Sequence, residues 1–193
     1  MWVRRAAIRS VPPYARLSAQ ALERVEQTLS GEDEDSEEKL EAAFARFERT
    51  QPALSSRVAA HLARPAGETA LALGYFLSLA VWMAFEGTFG TRLGEVSEQD
   101  LEATSQSIAF DEELREDAPE EAVDTDDVVA MEQPEVVEFI REHIDVALET
   151  NAASVKVDEV DAVYRLVLLE VVALSHAVET PDRYPVSKQE FQA

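Results

Sequence analysis

The sequence predicts an all-α protein, a single soluble helical bundle of about six or seven helices. Ala, Leu and Glu are abundant, and only 6 of the 193 residues are glycine, a balance that favours helices over sheets. Apolar residues recur at helical spacing in one segment after another. No stretch shows strand-like alternation of apolar and polar residues between turn signals.

The first half of the chain contains four predicted helices, at residues 18–29, 37–49, 52–63 and 68–86. Leu22, Val25 and Leu29 form the apolar stripe of the first helix. The acidic run SGEDEDSEE ends that helix, and Ser36 is a suitable N-cap for the second. Pro52 suits the first turn of the third helix, because its missing N–H costs nothing there.

The fourth predicted helix carries the most apolar stretch, ETALALGYFLSLAVWMAFEG, in which the 17 residues 69–85 are uncharged. A bilayer core of ~30 Å calls for about 20 apolar residues. At 1.5 Å per residue, this run reaches only about 26 Å. Glutamates bound it on both sides. We therefore expect the central helix of a soluble core and no membrane span.

The second half is predicted to contain a peripheral helix at residues 98–115, a helical turn at 128–131, and helices at 134–149 and 156–179. Ser97 and Asp100 have capping-box spacing, with Asp where Glu or Gln is usual. Residues 111–127 hold ten acids and one arginine and are expected to form an exposed acidic connection. The last helix has a long apolar face, so we expect it to build the core with helix 68–86.

Two terminal segments flank the helical domain, which is predicted at residues 18–180. Residues 181–193 form a short polar tail, and residues 1–17 form a basic arm without acidic residues. The arginines of this arm are Arg4, Arg5, Arg9 and Arg16. We expect the arm to be frayed or to lie on the protein's own acidic surface, or alternatively to dock an anionic partner.

Two stretches resemble each other, QPALSSRVAAHL at residues 51–62 and QPEVVEFIREHI at 133–144. Gln, Pro and His match at identical spacing, and each stretch is followed by a long apolar helix that contains Tyr75 or Tyr164. Duplication of a helical hairpin, at about 37–92 and 119–179, would explain the match. The hairpins would then pack about a pseudo-twofold axis, with the apolar helices at its centre.

The sequence lacks every catalytic motif considered. With no cysteine, thiol nucleophiles and zinc–thiolate sites are excluded. G-x-S-x-G, Walker A and G-x-G-x-x-G are absent. His61 and His143 lie in apolar stripes, so we expect each to be partly buried and bonded to the backbone or to a carboxylate. The Glu-x-x-His motif of di-iron bundles is missing. We expect no metal and no cofactor, and the pattern points away from an enzyme without excluding one.

If the protein is instead an enzyme or a ligand-binding protein, we expect its pocket to lie between helices 68–86 and 156–179. Its lining would consist of aromatic and imidazole side chains: Tyr75, Trp82, Tyr164 and His176. Glu86 and Glu170 interrupt apolar runs. Each is expected at a helix edge that faces water, or else paired with an arginine such as Arg165 or with a histidine.

The formal net charge of −22 disfavours nucleic acid, whose binding depends on Lys and Arg. Our leading hypothesis is a non-enzymatic protein that acts through protein–protein contacts, as an adaptor, regulator or assembly component. One alternative is an acidic mimic that occupies the nucleic-acid site of a basic protein, and another is a ligand-binding protein or enzyme that uses the pocket. We expect a protein partner and a cytoplasmic location, and a homo-oligomer is compatible with the sequence.

Overall fold

The computed structural model describes residues 9–31, 36–63, 67–117, 125–151 and 156–182. These residues form eight α-helices, with short 3-10 turns before the first and after the fourth. The helices are α1 (Ala19–Leu29), α2 (Ser36–Thr50), α3 (Pro52–Leu62), α4 (Glu68–Phe89), α5 (Glu98–Asp117), α6 (Thr125–Glu132), α7 (Pro134–Thr150) and α8 (Val157–Ala177). The predicted all-α class is confirmed. There are eight helices rather than six or seven, because the predicted turn at 128–131 is the complete helix α6.

Local signals in the sequence set several helix ends. Pro52 and Pro134 stand in the first turn of α3 and α7, where a missing N–H is tolerated. The predicted capping box forms: the Ser97 hydroxyl accepts the Asp100 N–H at 3.1 Å, and the Asp100 carboxylate accepts the Ser97 N–H at 3.3 Å. Helix α4 continues past its predicted end and stops at Gly90, whose φ of 54° lies in the left-handed region that favours glycine.

Helices α4 and α8 pack along each other at the centre of the fold. A Cβ built on Gly74 would lie 2.5 Å from a methyl of Leu62 on α3 and 3.4 Å from a methyl of Val163 on α8, so glycine permits close packing here. Among the described residues, α4 with the turn behind it is the one segment long and apolar enough to cross a membrane, at a mean hydropathy of 1.5. In this fold, 61% of that apolar window is buried inside the protein.

The helices of the two halves pack in the same order. Helix α1 packs on α4 as α5 packs on α8, and α2 packs on α3 as α6 packs on α7. Between the halves, α3 contacts α5 and α8, while α7 contacts α1 and α4. A twofold relation produces such exchanged contacts. The correspondence includes α1 and α5, which lie outside the hairpins suggested by the sequence.

A buried glutamine ties each half to the other. Gln51 stands directly before α3, and only 2% of it is exposed. Its side-chain amide donates to the Gly94 carbonyl at 2.9 Å, and its amide oxygen accepts the Val96 N–H at 2.8 Å. Residues 94–96 lead into α5, so the first half holds the entry to the first helix of the second half.

Gln133 repeats this geometry on the segment that leads into α1. Its amide donates to the Ala15 carbonyl at 2.7 Å, and its amide oxygen accepts the Leu17 N–H at 3.0 Å. The amide also donates to the buried Ser175 hydroxyl at 3.0 Å. Backbone angles agree as well, with φ/ψ of −131°/59° at Gln133 and −136°/59° at Gln51. We refer to these two arrangements as the glutamine clamps.

Residues 9–17 of the predicted basic arm lie on the helical body. The Val11 N–H donates to a carboxylate oxygen of Glu132 at 2.6 Å, and the Gln133 clamp holds residues 15–17. Arg9 and Arg16 are exposed. Arg4 and Arg5 lie outside the described residues, as do residues 183–193 of the predicted tail.

Candidate functional site

His143 and His61, the histidines of the repeated stretch, sit on α7 and α3. His143 Nδ1 faces the Phe139 carbonyl at 2.9 Å, and Nε2 lies 3.4 Å from a carboxylate oxygen of Glu26 on α1. Its ring also packs on Phe76, with centroids 5.1 Å apart. His61 is half-buried. Over the described ranges, no group of three His, Asp or Glu residues is arranged to hold a metal, and the expectation of no metal or cofactor stays a prediction.

Glu86 pairs with an arginine of α2. Its carboxylate lies 2.8 Å from the Arg46 guanidinium, which in turn lies 5.4 Å from the ring centre of Trp82. Trp82 is fully buried, and its ring packs on Phe47 with centroids 5.1 Å apart. The expected pairing with an arginine therefore occurs at Glu86, with Arg46 as partner instead of Arg165.

Glu170 does not lie at a water-facing edge, and that expectation was wrong. The residue is 0% exposed, and burial raises the pKa of its carboxyl well above the usual range, an effect that the nearby Ser78 hydroxyl partly offsets. No hydrogen bond of ordinary geometry reaches the two carboxyl oxygens or Ser78 Oγ from the described residues. A carboxyl in such surroundings keeps its proton above the pH at which an exposed glutamate loses it.

The four residues expected to line a pocket between α4 and α8 face different neighbours. Tyr75 packs edge-on against Phe44 of α2, with centroids 5.9 Å apart, and Trp82 is buried against α2 as well. Tyr164 lines a groove beside α7, whereas His176 lines a cavity beside α5. These two concave surfaces are the candidate sites.

The first candidate site is a cavity of about 210 Å³ between α5, α8 and the segment before α1, which we call the His176 cavity. Its polar wall consists of Arg9, Glu95, Asp100, Thr104, Ser107 and His176. The His176 Nε2 lies 3.2 Å from the Arg9 carbonyl oxygen. Burial lowers the pKa of His176, which favours the neutral imidazole.

The second candidate site is an open groove of about 310 Å³ between α7 and the first half of α8, which we call the α7–α8 groove. Its floor is apolar and consists of Ile144, Leu148, Val157, Val160 and Tyr164. Its rim is charged and consists of Arg141, Asp145 and Asp161. Val157 is 73% exposed.

Sequence reasoning missed the glutamine clamps and both concave surfaces. The repeated Gln-Pro pair contains both clamp glutamines, but as a sequence pattern it predicts only that a helix begins at each proline. Asp100 and Thr104 gave a weaker signal, since they lie one turn apart on α5 and leave that helix with a thin apolar stripe. The groove gave no local signal, because its floor residues read as ordinary core positions of two helices.

No protein-family model matches this chain, and no curated protein and no solved structure matches it. Function is therefore inferred from the geometry of the chain itself.

Proposed function

We propose that this chain binds a basic amphipathic helix of a partner protein in the α7–α8 groove and acts as a non-enzymatic adaptor or regulator. The observation that carries this proposal is the uncovered apolar floor of the groove. Val157 is 73% exposed at its end, and Leu148 and Tyr164 are only half-buried along it. Exposed apolar surface with a polar rim is typical of interaction sites.

The shape of the groove favours a helix as its occupant. The groove lies between two helices, and a partner helix can lay apolar residues spaced three and four apart into such a furrow. The floor runs from Ile144 and Leu148 on α7 to Val160 and Tyr164 on α8. Each of these pairs is four residues apart, which is one helical turn.

The charge around the groove favours a basic occupant. Helix α7 carries five acids and one arginine, and Asp145 and Asp161 stand on the rim. The whole chain has a formal net charge of −22. Opposite charge on a partner speeds encounter and disfavours acidic competitors.

We infer that the two halves are copies of one four-helix unit. Comparing them supports an occupant in the α7–α8 groove. Helix α2 has 15 residues and α6 has eight, and both end directly before a clamp glutamine. Phe44, seven residues before Gln51, packs on Tyr75. Seven residues before Gln133 the sequence has Asp126. The second half therefore has an acid where the first half has an aromatic residue that packs on its apolar helix.

Fluorescence anisotropy with a designed peptide tests the proposal. The peptide has about 18 residues, with Leu and Phe on one helical face and Lys on the other. We expect a Kd of about 1–10 µM at near-physiological salt, and weaker binding as salt is raised. A peptide of the same composition without the apolar face should bind at least about tenfold more weakly, because it cannot fill the groove.

The matched variants are Val157→Lys and Met131→Lys. Both replace an exposed apolar side chain, at 73% and 63% exposure, but only Val157 lines the groove. Val157→Lys should weaken the peptide at least about tenfold, and Met131→Lys less than about twofold. Equal effects of the two variants, or equal binding of the two peptides, would reject the groove. A dimer of the chain that Val157→Lys dissociates would instead identify a second copy as the occupant and overturn the proposal.

The nucleic-acid-mimic hypothesis depends on residues 111–127, of which 118–124 lie outside the described residues. It therefore stays a prediction, as does the cytoplasmic location. Competition between double-stranded DNA and this chain for a basic DNA-binding protein would favour the mimic.

A further inference from the structure

We infer that the His176 cavity binds a small organic ammonium compound, a primary amine with a short apolar chain. The cavity lies beside the last turns of α8, between α8 and α5, whereas the α7–α8 groove lies along the first half of α8. This inference is therefore independent of the proposed function.

The polar atoms around the cavity are mostly hydrogen-bond acceptors. A carbonyl oxygen only accepts, so the 3.2 Å contact with Arg9 assigns the proton of the neutral His176 ring to Nε2. Nδ1 is then an acceptor, but it has almost no accessible surface, so the acceptors within reach of a ligand are the carboxylates and hydroxyls of the wall. The Ser107 hydroxyl donates to the Ala103 carbonyl at 2.9 Å, which leaves its lone pairs to accept. A ligand that donates several N–H groups fits these acceptors.

The charges around the cavity favour a cation. Glu95 and Asp100 line it with two carboxylates, against the single guanidinium of Arg9. The charged groups that act on His176 are Arg9, Glu132 and Asp100, which again sum to a negative charge. An ammonium group gains from this field, whereas a carboxylate ligand would be repelled.

The remaining wall is apolar and sets the size of the ligand. Val96, Val172 and Ala173 form this side of the cavity. The volume of about 210 Å³ corresponds to the space of about seven water molecules. A short alkyl chain attached to the ammonium group would cover this wall and displace water from it.

The cavity is specific to the second half of the chain. Aligning the clamped segments ARLSAQAL and GEVSEQDL pairs Ala21 with Asp100 and Val25 with Thr104. Ala21 and Val25 are buried, at 3% and 8% exposure, where α1 packs on α4. At the same positions α5 presents a carboxylate and a hydroxyl to an open space. The Asp100 carboxylate also accepts the Ser97 N–H in the capping box, so Thr104 is the polar residue on this wall that helix capping does not explain.

The test titrates the full chain with n-butylammonium, butyrate and n-butanol, followed by the imidazole ¹⁵N shifts of the three histidines. We expect n-butylammonium to saturate a shift of His176 Nδ1 with a Kd of about 1–10 mM, which is ordinary for so small a ligand. Butyrate and n-butanol should bind at least about tenfold more weakly, because they lack the charge that the cavity favours. His61 and His143 serve as internal controls and should not shift.

Two substitutions on α5 separate the site from general electrostatics. Asp100→Asn keeps an acceptor for the Ser97 cap and should weaken n-butylammonium at least about fivefold. Glu98→Gln removes the same charge from an exposed residue that does not line the cavity, and it should change affinity less than about twofold. Ala103→Leu, which fills the cavity without a charge change, should abolish the shift. Equal binding of all three compounds, no binding up to about 50 mM, or equal effects of Asp100→Asn and Glu98→Gln would overturn the inference.

Discussion

Glu170 lies fully buried in α8 and makes no ordinary hydrogen bond with the described residues. Burial raises the pKa of its carboxyl, so the folded chain holds this proton more tightly than the unfolded chain does. The stabilisation that results is complete below the ordinary glutamate pKa of about 4.3. It is lost as the pH rises from there through the folded-state pKa, because the unfolded chain then ionises and the folded chain does not.

Glu170→Gln should therefore stabilise the protein at neutral and higher pH. The variant carries a neutral side chain of the same size, so its free energy of unfolding lacks this pH-dependent loss. We expect urea denaturation to give an advantage over wild type of about 1 kcal/mol or more near pH 8, which shrinks toward pH 4. An advantage that is constant across this range would show that Glu170 keeps an ordinary pKa.

The matched control for that experiment is Glu86→Gln on α4. Glu86 is partly exposed and paired with Arg46 at 2.8 Å. Glu86→Gln removes this ion pair, which should leave the free energy of unfolding unchanged or lower it by up to about 1 kcal/mol. The sequence could not separate these two glutamates, because each interrupts an apolar run in the same way. What distinguishes them is which helix covers each position, and that depends on long-range packing.

At the scale of the helices, local sequence patterns predicted which helices form and where most of them begin and end. Helix α7 begins at Pro134 as expected, and α5 begins at its capping box. These features depend on neighbours within four residues, so they can be read from the sequence. Helix α4 extends to Phe89, three residues past its predicted end, because Gly87 lies within the helix although glycine disfavours helix interiors.

The glutamine clamps could not be predicted, because each hydrogen-bonds to a segment more than 40 residues away. The clamp of Gln51 spans 43 and 45 residues, and that of Gln133 spans 118 and 116. A glutamine before a helix is a poor local cap, and neither side chain caps its own helix. Their role depends on which segment of the other half packs beside each glutamine.

Gln133→Met should cost about 2–4 kcal/mol in the free energy of unfolding, as measured by urea denaturation. The thioether fills similar space but leaves the buried Leu17 N–H and the Ala15 carbonyl without their partner. Gln51→Met should cost somewhat less, because Gln51 makes two of these bonds and Gln133 makes three. Gln99→Met, at an exposed position of α5, should stay within about 0.5 kcal/mol of wild type. If Gln133→Met or Gln51→Met lowered the free energy of unfolding as little as Gln99→Met does, the glutamine clamps would not stabilise the fold as described.

At the scale of the whole molecule, the sequence predicted the all-α class and the pairing of α4 with α8. Both follow from the two longest apolar segments, which must bury themselves together. The two concave surfaces arise where packed helices leave space between their side chains. The His176 cavity depends on α5 meeting α8, a contact between distant segments that the sequence does not show, whereas the α7–α8 groove lies between two consecutive helices.

The two halves follow one plan of packing but differ in what they leave open. In the first half, α2 covers the face of α4 that carries Tyr75, and Ala21 and Val25 are buried on α1. In the second half, Tyr164 lines the α7–α8 groove, and Asp100 and Thr104 line the His176 cavity. Both proposed sites thus lie mainly on helices of the second half, and we propose that the first half is their structural support.

The most direct test of that division is the map of amide shifts when the ¹⁵N-labelled chain is titrated with the basic amphipathic peptide. We predict that the shift changes concentrate at residues 141–148 and 157–164, which line the groove, and that the changes in α1 to α3 are much smaller. Changes spread evenly over exposed acidic residues in both halves, or centred on the exposed apolar residues Phe110 and Met131, would contradict it.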